Sequence, residues 1–253
     1  MICLRINFGK EFEFSVVKIK LTNGRNIMSG VWIIFIAFTL LSWLVSSQLK
    51  TRFKKYSKIP TANGMSGREV VEQMLRDHGI GGVKIGSVDG QLSDHYNPAD
   101  KTINLSSDVY HGRNIAAAAV AAHETGHAIQ HAEAYMWLEV RSALVPVVSF
   151  SSKWVQWVLL AGILMVNTFP QLLLAGIVLF AGTTLFSIIT LPVEVDASRR
   201  ALVWLKTSGI TGYETQKSAF DALKWAAYTY FVAALSSLAT LLYYVMIYMG
   251  RRN

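Results

Sequence analysis

The sequence predicts a mainly α-helical integral membrane protein with about four spans and a small α+β region between the first span and the second. Three observations lead there. Of 253 residues 52% are hydrophobic and the mean hydropathy is +0.35, high for a single soluble domain. Four apolar runs, at residues 29–47, 142–166, 171–191 and 226–249, are separated by polar, cation-rich stretches. Residues 60–112 instead combine short apolar segments with Gly, Asn, Asp and Pro, the pattern of short strands and tight turns.

The charge balance narrows the class. Lys and Arg number 24 against 16 Asp and Glu, a formal net charge of +8. In a membrane chain such an excess marks cytoplasmic loops and anionic headgroups. No basic run with interleaved aromatics occurs, so no nucleic-acid partner is expected. Cys3 is the only cysteine, which excludes an intrachain disulfide and a thiolate zinc cluster. Any metal here falls to histidine and carboxylate.

Residues 1–27 alternate apolar and charged character through Lys10, Glu11, Lys18, Lys20 and Arg25, with neither a signal-type apolar core nor a small-residue cleavage site. They read as an N-terminal extension, with Met28 as an alternative start. The first transmembrane helix is expected over residues 28–48. Its 19 uncharged residues, 29–47, are about long enough for one crossing at 1.5 Å per residue. Lys50, Arg52, Lys54, Lys55 and Lys58 follow at once and predict that this end stays cytoplasmic.

Residues 49–141 form the expected polar region. Ser66 caps a helix whose apolar face is Val70, Val71, Met74 and Leu75, and Gly79 stops it. Residues 83–88, 91–96 and 102–105 read as strands joined by turns at Asp89-Gly90 and Asn97-Pro98. Such a sheet either aligns an extended peptide along its edge or only supports the helix that follows. That helix runs from Arg113 to about Tyr135. Its alanines at 116–119, 121, 122 and 128, with Gly126, give a small-residue surface that other helices can approach closely.

Residues 142–191 are expected as a transmembrane hairpin. An apolar run interrupted by Pro146 and Lys153 leads to a short uncharged turn at 167–170 and a 21-residue uncharged return at 171–191. Residues 192–225 are polar again, with Arg199, Arg200, Lys206 and Lys224, and residues 226–250 form a fourth span with aromatics at both ends.

The chemistry concentrates in the helix 113–135, which contains His123-Glu124-Thr125-Gly126-His127. Positions i and i+4 share a helix face, so His123 and His127 can offer two imidazole nitrogens to one Zn²⁺, with Glu124 beside them as general base. Zinc acidifies water towards a pKa of ~7 and polarises a carbonyl, while the glutamate takes the water's proton. A catalytic zinc generally has three protein ligands, so one is missing. His131 lies about 12 Å from His123 along a regular helix, too far for one ion. Glu133 stands where a metzincin has its third ligand, but Gln130 replaces the glycine on which that chain reversal depends. Glu194 and Asp196 lie at the end of the third span, which the hairpin returns to the side of the membrane that the central helix leaves. The third ligand thus stays open among Glu194, Asp196 and Glu133. His95 fits an oxyanion role or a structural hydrogen bond; Arg199 and Arg200 fit pairing with these acids or headgroup contact.

The runs Ala121-Ala-His-Glu-Thr-Gly-His-Ala-Ile-Gln130, Asp94-His-Tyr-Asn-Pro98, Leu105-Ser-Ser-Asp-Val-Tyr110 and Leu191-Pro-Val-Glu-Val-Asp-Ala-Ser-Arg-Arg-Ala-Leu202 resemble the bacterial YugP-type neutral zinc metallopeptidases. The resemblance covers essentially residues 29–250. More distantly, a His-Glu-x-x-His helix followed by Glu-x-x-Ala after a membrane hairpin is similar to the HtpX-type and CAAX prenyl membrane proteases, whose Glu-x-x-Ala-Asp motif supplies a zinc-binding glutamate. The resemblance implies Glu194 as third ligand and Ala197 as the motif alanine. Ser198 stands where those proteases have aspartate, so it is Asp196 or another residue that is expected to orient a histidine.

Together these readings predict a multi-pass cell-membrane zinc metalloendopeptidase, gluzincin-like, whose small α+β region is zincin-like and catalytic and faces the cytoplasm. His123, His127 and Glu194 bind Zn²⁺, Glu124 is the catalytic base, and the substrate is a peptide or membrane protein met at the lipid bilayer. The alternative from another class is a non-proteolytic membrane scaffold or transport component with structural zinc, for which Lys153 is the ionisable group inside a span. No oligomeric state is implied.

Overall fold

The computed structural model of the protein describes residues 24–250; the extension expected over 1–27 lies, through residue 23, outside the described residues. Helix α1 (Gly24–Tyr56) and the short α2 (Gly67–Asp77) precede strands β1 (Lys84–Val88), β2 (His95–Asn97) and β3 (Thr102–Ser106). A single turn, α3 (Ser107–Tyr110), leads into α4 (Ile115–Ala132), and three long helices follow: α5 (Met136–Leu164), α6 (Pro170–Thr207) and α7 (Tyr213–Gly250). Among the described residues, four segments are long and apolar enough to cross a membrane: Trp32–Tyr56 of α1 and the whole of α5, α6 and α7. Their outward faces carry Trp43, Phe150, Val178 and Met246, large apolar side chains left exposed for lipid. The protein is a mainly helical membrane protein with a small three-stranded sheet.

Sequence logic accounts for each soluble element. Ser66 accepts from Glu69 N–H while the Glu69 carboxylate accepts from Ser66 N–H, a capping box that starts α2. Val70, Val71, Met74 and Leu75 form its buried face, and Gly79, at φ +66°, lies just past its end. Asn114 caps α4 by accepting from Ala117 N–H at 2.9 Å. The alanines of α4 are buried on nearly all sides, so this helix is the hub on which α2, the sheet, α6 and α7 pack.

The sheet departs from the expected string of tight hairpins. Its order is β1-β3-β2; β1 pairs with β3 in parallel, and β2 with β3 antiparallel. Asp89-Gly90 therefore does not fold β1 back onto β2. A parallel pair needs a crossover, and residues 89–94, turning at Gly90 (φ +98°) and Leu92 (φ +57°), carry the chain across to the far side of β3. The expected Asn97-Pro98 turn does join β2 to β3. Tyr96, Ile103 and Leu105 then pack into the same core as Met74 and Ile129.

The hairpin of α5 and α6 is tight. A Cβ at Gly162 would lie 2.6 Å from Leu173 Cα, so glycine is what lets the two backbones meet. Pro146 and Pro192 sit inside helices that run on past them. At 38 residues α6 is about 57 Å long, nearly twice the ~30 Å hydrocarbon core, so one end must stand clear of the lipid. That end carries residues 194–207 and packs on α4.

Candidate active site

The site is built where α4 meets α6. The i, i+4 spacing turns His123 and His127 to the same side, with ring centroids 4.8 Å apart. Glu194 of α6 faces them, its Oε2 lying 3.2 Å from His123 Nε2 and 3.6 Å from His127 Nε2. The three ligand atoms lie within 4.8 Å of one another. Two small residues allow this approach. A Cβ on Gly126 would fall 2.7 Å from the Ala197 carbonyl oxygen, so the glycine of one motif rests on the alanine of the other. His127 and Glu194 are almost fully buried, whereas the His123 side chain keeps 12% of its surface, giving the site one open side.

The donor set fits a catalytic zinc. Two imidazoles and one carboxylate make a three-ligand arrangement typical of such a site, with a position left for the reacting groups. Each histidine is oriented through its other nitrogen: His127 Nδ1 lies 3.0 Å from Gln130 Oε1, and His123 Nδ1 lies 3.1 Å from Ser198 Oγ. With each Nδ1 engaged in this way, both Nε2 atoms lie on the side of Glu194, where an ion would be held. Ser198, the residue after the motif alanine Ala197, thus reaches His123. Asp196 sits one step back, accepting from Gln130 Nε2 at 2.9 Å.

Other sequence candidates have different partners. Arg200 donates to Asp196 and to Glu133, both at 2.6 Å, so the structure places these two carboxylates in an ion-pair network, with Glu194 beside the imidazoles. Arg199 is mostly exposed, with Asp196 3.8 Å away. His131 Nδ1 contacts the Tyr96 hydroxyl at 2.7 Å, so this histidine braces β2. His95 is engaged at both ring nitrogens, by the Ser93 carbonyl at 2.8 Å and the Asn104 amide at 3.2 Å, which favours its structural reading.

Glu124 is buried, and its Oε2 accepts from the Tyr96 backbone N–H at 2.9 Å. Burial pushes its carboxyl up to about 7; His123 opposes the rise, while the charges of Glu194 and Asp94 add to it. A carboxyl poised there suits proton transfer near neutral pH. Burial likewise lifts the Tyr96 phenol, to about 12, keeping it neutral beside His131.

Sequence reasoning missed Arg141. Its buried guanidinium, on the second turn of α5, donates to Glu194 Oε1 at 3.1 Å and lies over the Phe186 ring. Glu194 thus has one oxygen held and the other presented to the histidines. The available signal was an arginine opening an apolar helix, which reads equally well as an interface anchor.

A protein of Bacillus subtilis (strain 168) named "Putative membrane protease YugP" is 39% identical over 213 residues, which cover 84% of this chain and 94% of that protein. No solved structure matches the chain. Residues 31–249 match the family described as "Putative neutral zinc metallopeptidase". Because that match runs from the first span to the last and takes in both helices that meet at Gly126 and Ala197, the chain belongs to this family of zinc metallopeptidases.

Proposed function

We propose that this protein is a zinc metalloendopeptidase of the His-Glu-x-x-His, gluzincin-like type, working at the cytoplasmic face of the cell membrane. The observation that carries the reading is the convergence of His123, His127 and Glu194 ligand atoms within 4.8 Å, next to a buried glutamate. His123, His127 and Glu194 hold the zinc. When bound, the zinc supplies Lewis acidity, polarising the peptide carbonyl and acidifying the attacking water.

The chain's own residues do the rest. Tyr96 N–H holds Glu124 Oε2, leaving Oε1 to take the proton of the water as its oxygen bonds to the carbonyl carbon. As the C–N bond breaks, Glu124 returns that proton to the departing amine. Arg141 fixes Glu194 Oε1 and so keeps Oε2 directed at the two histidines. The sheet ends at β2, whose Tyr96 already touches Glu124, and an extended peptide aligned with this edge enters beside the base. The cytoplasmic placement is supported by the cations of the last turns of α1, on the same side as the end of α6 that carries Glu194. Lys153 is exposed on the outer face of α5 and not directed into the bundle, so it lends no support to a transport role.

Detergent-purified protein tests the reading. Glu124→Gln is expected to keep its zinc and to lose about 10²- to 10⁴-fold in peptide cleavage; full activity in that variant overturns the mechanism. Glu194→Gln is expected to lower zinc content, and an unchanged content removes Glu194 from the ligand set.

A further inference from the structure

Gln130 is completely buried and its amide works in two directions. Its Nε2 lies 2.8 Å from the Val193 carbonyl oxygen and 2.9 Å from Asp196 Oδ2, while its Oε1 lies 3.0 Å from His127 Nδ1. A carbonyl and a carboxylate can only accept, so the end of the amide that faces them must be the NH₂. That fixes the oxygen towards His127. An amide oxygen also only accepts, so Nδ1 of His127 must carry the ring proton, and its Nε2 is left bare on the side of His123 and Glu194. The orientation is braced from outside: Arg200 holds Asp196 at 2.6 Å and reaches Glu133 at the end of α4 at 2.6 Å.

We propose that Gln130 is a positioning residue that holds His127 in the Nδ1–H tautomer, the form whose Nε2 is ready to bind a metal ion. The proposal rests on the reading of His127 as a zinc ligand. Neutral imidazole in water favours the opposite tautomer, so without this amide His127 would have to move its proton before it could bind. Ser198 cannot do the same for His123, because a hydroxyl both donates and accepts and leaves that tautomer unset. The residue that breaks the metzincin pattern at position 130 thereby acquires a role of its own. It lets α4 continue and fastens the ligand histidine to α6 through Val193 and Asp196.

The test uses the full chain in detergent: wild type, Gln130→Met, Gln130→Glu and His127→Ala. Zinc dissociation constants come from competition with a chromophoric chelator. The tautomer comes from ¹⁵N NMR of histidine-labelled, metal-free protein, with the His127 signals identified by their loss in His127→Ala. The metal-free wild type is expected to show His127 protonated at Nδ1; protonation at Nε2 overturns the proposal, and for that reading His127→Ala is the one variant that has to fold. Gln130→Met is expected to weaken zinc about 10- to 100-fold and to lose the Nδ1–H signature. Gln130→Glu keeps an acceptor facing the ring and is expected to keep the Nδ1–H signature, while its second oxygen, set against Val193 O and Asp196 Oδ2, lowers the stability of the protein. Zinc binding by Gln130→Met as tight as wild type, or an unchanged tautomer in that variant, refutes the role of Gln130. Zinc binding unaffected by His127→Ala refutes instead the ligand assignment beneath it, so the two failures are distinguishable.

Discussion

Glu124 brings a carboxylate into a site where burial dominates over its polar contacts, and its carboxyl stands at about 7 against an ordinary 4.5. Between those values the folded chain holds a proton that the unfolded chain has released. Stability of the metal-free protein therefore falls as pH rises from about 4.5 to about 7 and levels off above, by on the order of 3 kcal/mol. Glu124→Gln should remove that part of the slope. Melting temperatures of the two proteins in chelator across this range provide the check, and parallel curves would show that the buried charge carries no such cost. Gly126 makes a second residue-scale prediction. Alanine there forces Cβ to within 2.7 Å of Ala197 O, which is backbone and cannot swing aside. Gly126→Ala should cost about 1–3 kcal/mol in thermal unfolding and reduce zinc occupancy, because the strain relaxes by parting the helices that carry the ligands. The pairing of His123 with His127, and of Glu124 beside them, was legible in the sequence because i, i+4 geometry is local. Arg141, Gln130 and the Ser198 contact were not, since each depends on which side chain a distant helix presents.

Among the elements, the apolar spans and the capped α2 were readable from local pattern alone, Ser66 and Gly79 marking the ends of α2. The strand order was not. Asp89-Gly90 is a good local turn signal, but the pairing of Val88 with Ser106 in a parallel ladder is decided by distant partners and by how Tyr96 seats against α4. Nor did composition reveal that the third span and Glu194 share one uninterrupted helix through Pro192. The hairpin offers a test at this scale. Gly162→Val puts carbon where Leu173 backbone lies 2.6 Å away, so α5 and α6 must separate. Because Arg141 on α5 bonds Glu194 on α6, the variant should lose zinc affinity as well as thermal stability, although residue 162 lies at the opposite end of α5 from Arg141. A loss of stability with zinc affinity unchanged would mean that the two ends of the hairpin move independently.

For the whole molecule, the reading requires the zinc region and the turn between α5 and α6 to lie on opposite sides of the bilayer. Lys101 and Asn167, both exposed, report on this. In a Cys3→Ser background, an impermeant maleimide on intact cells should label Asn167→Cys and leave Lys101→Cys unlabelled until the membrane is permeabilised. The reverse pattern would invert the protein. The length of α6 adds a dependence on the membrane itself. About 36 Å of helix separate Pro170 from Glu194, so the height and slant of Glu194, the proposed third ligand, are set by how the lipid grips the part of the helix below it. Thinner or thicker bilayers change helix tilt, and a change of tilt shifts Glu194 against histidines anchored in the water-facing region. Reconstituted in vesicles of graded acyl-chain length, the enzyme should show an optimum chain length for zinc retention, so that lipid composition acts on the protein as an effector.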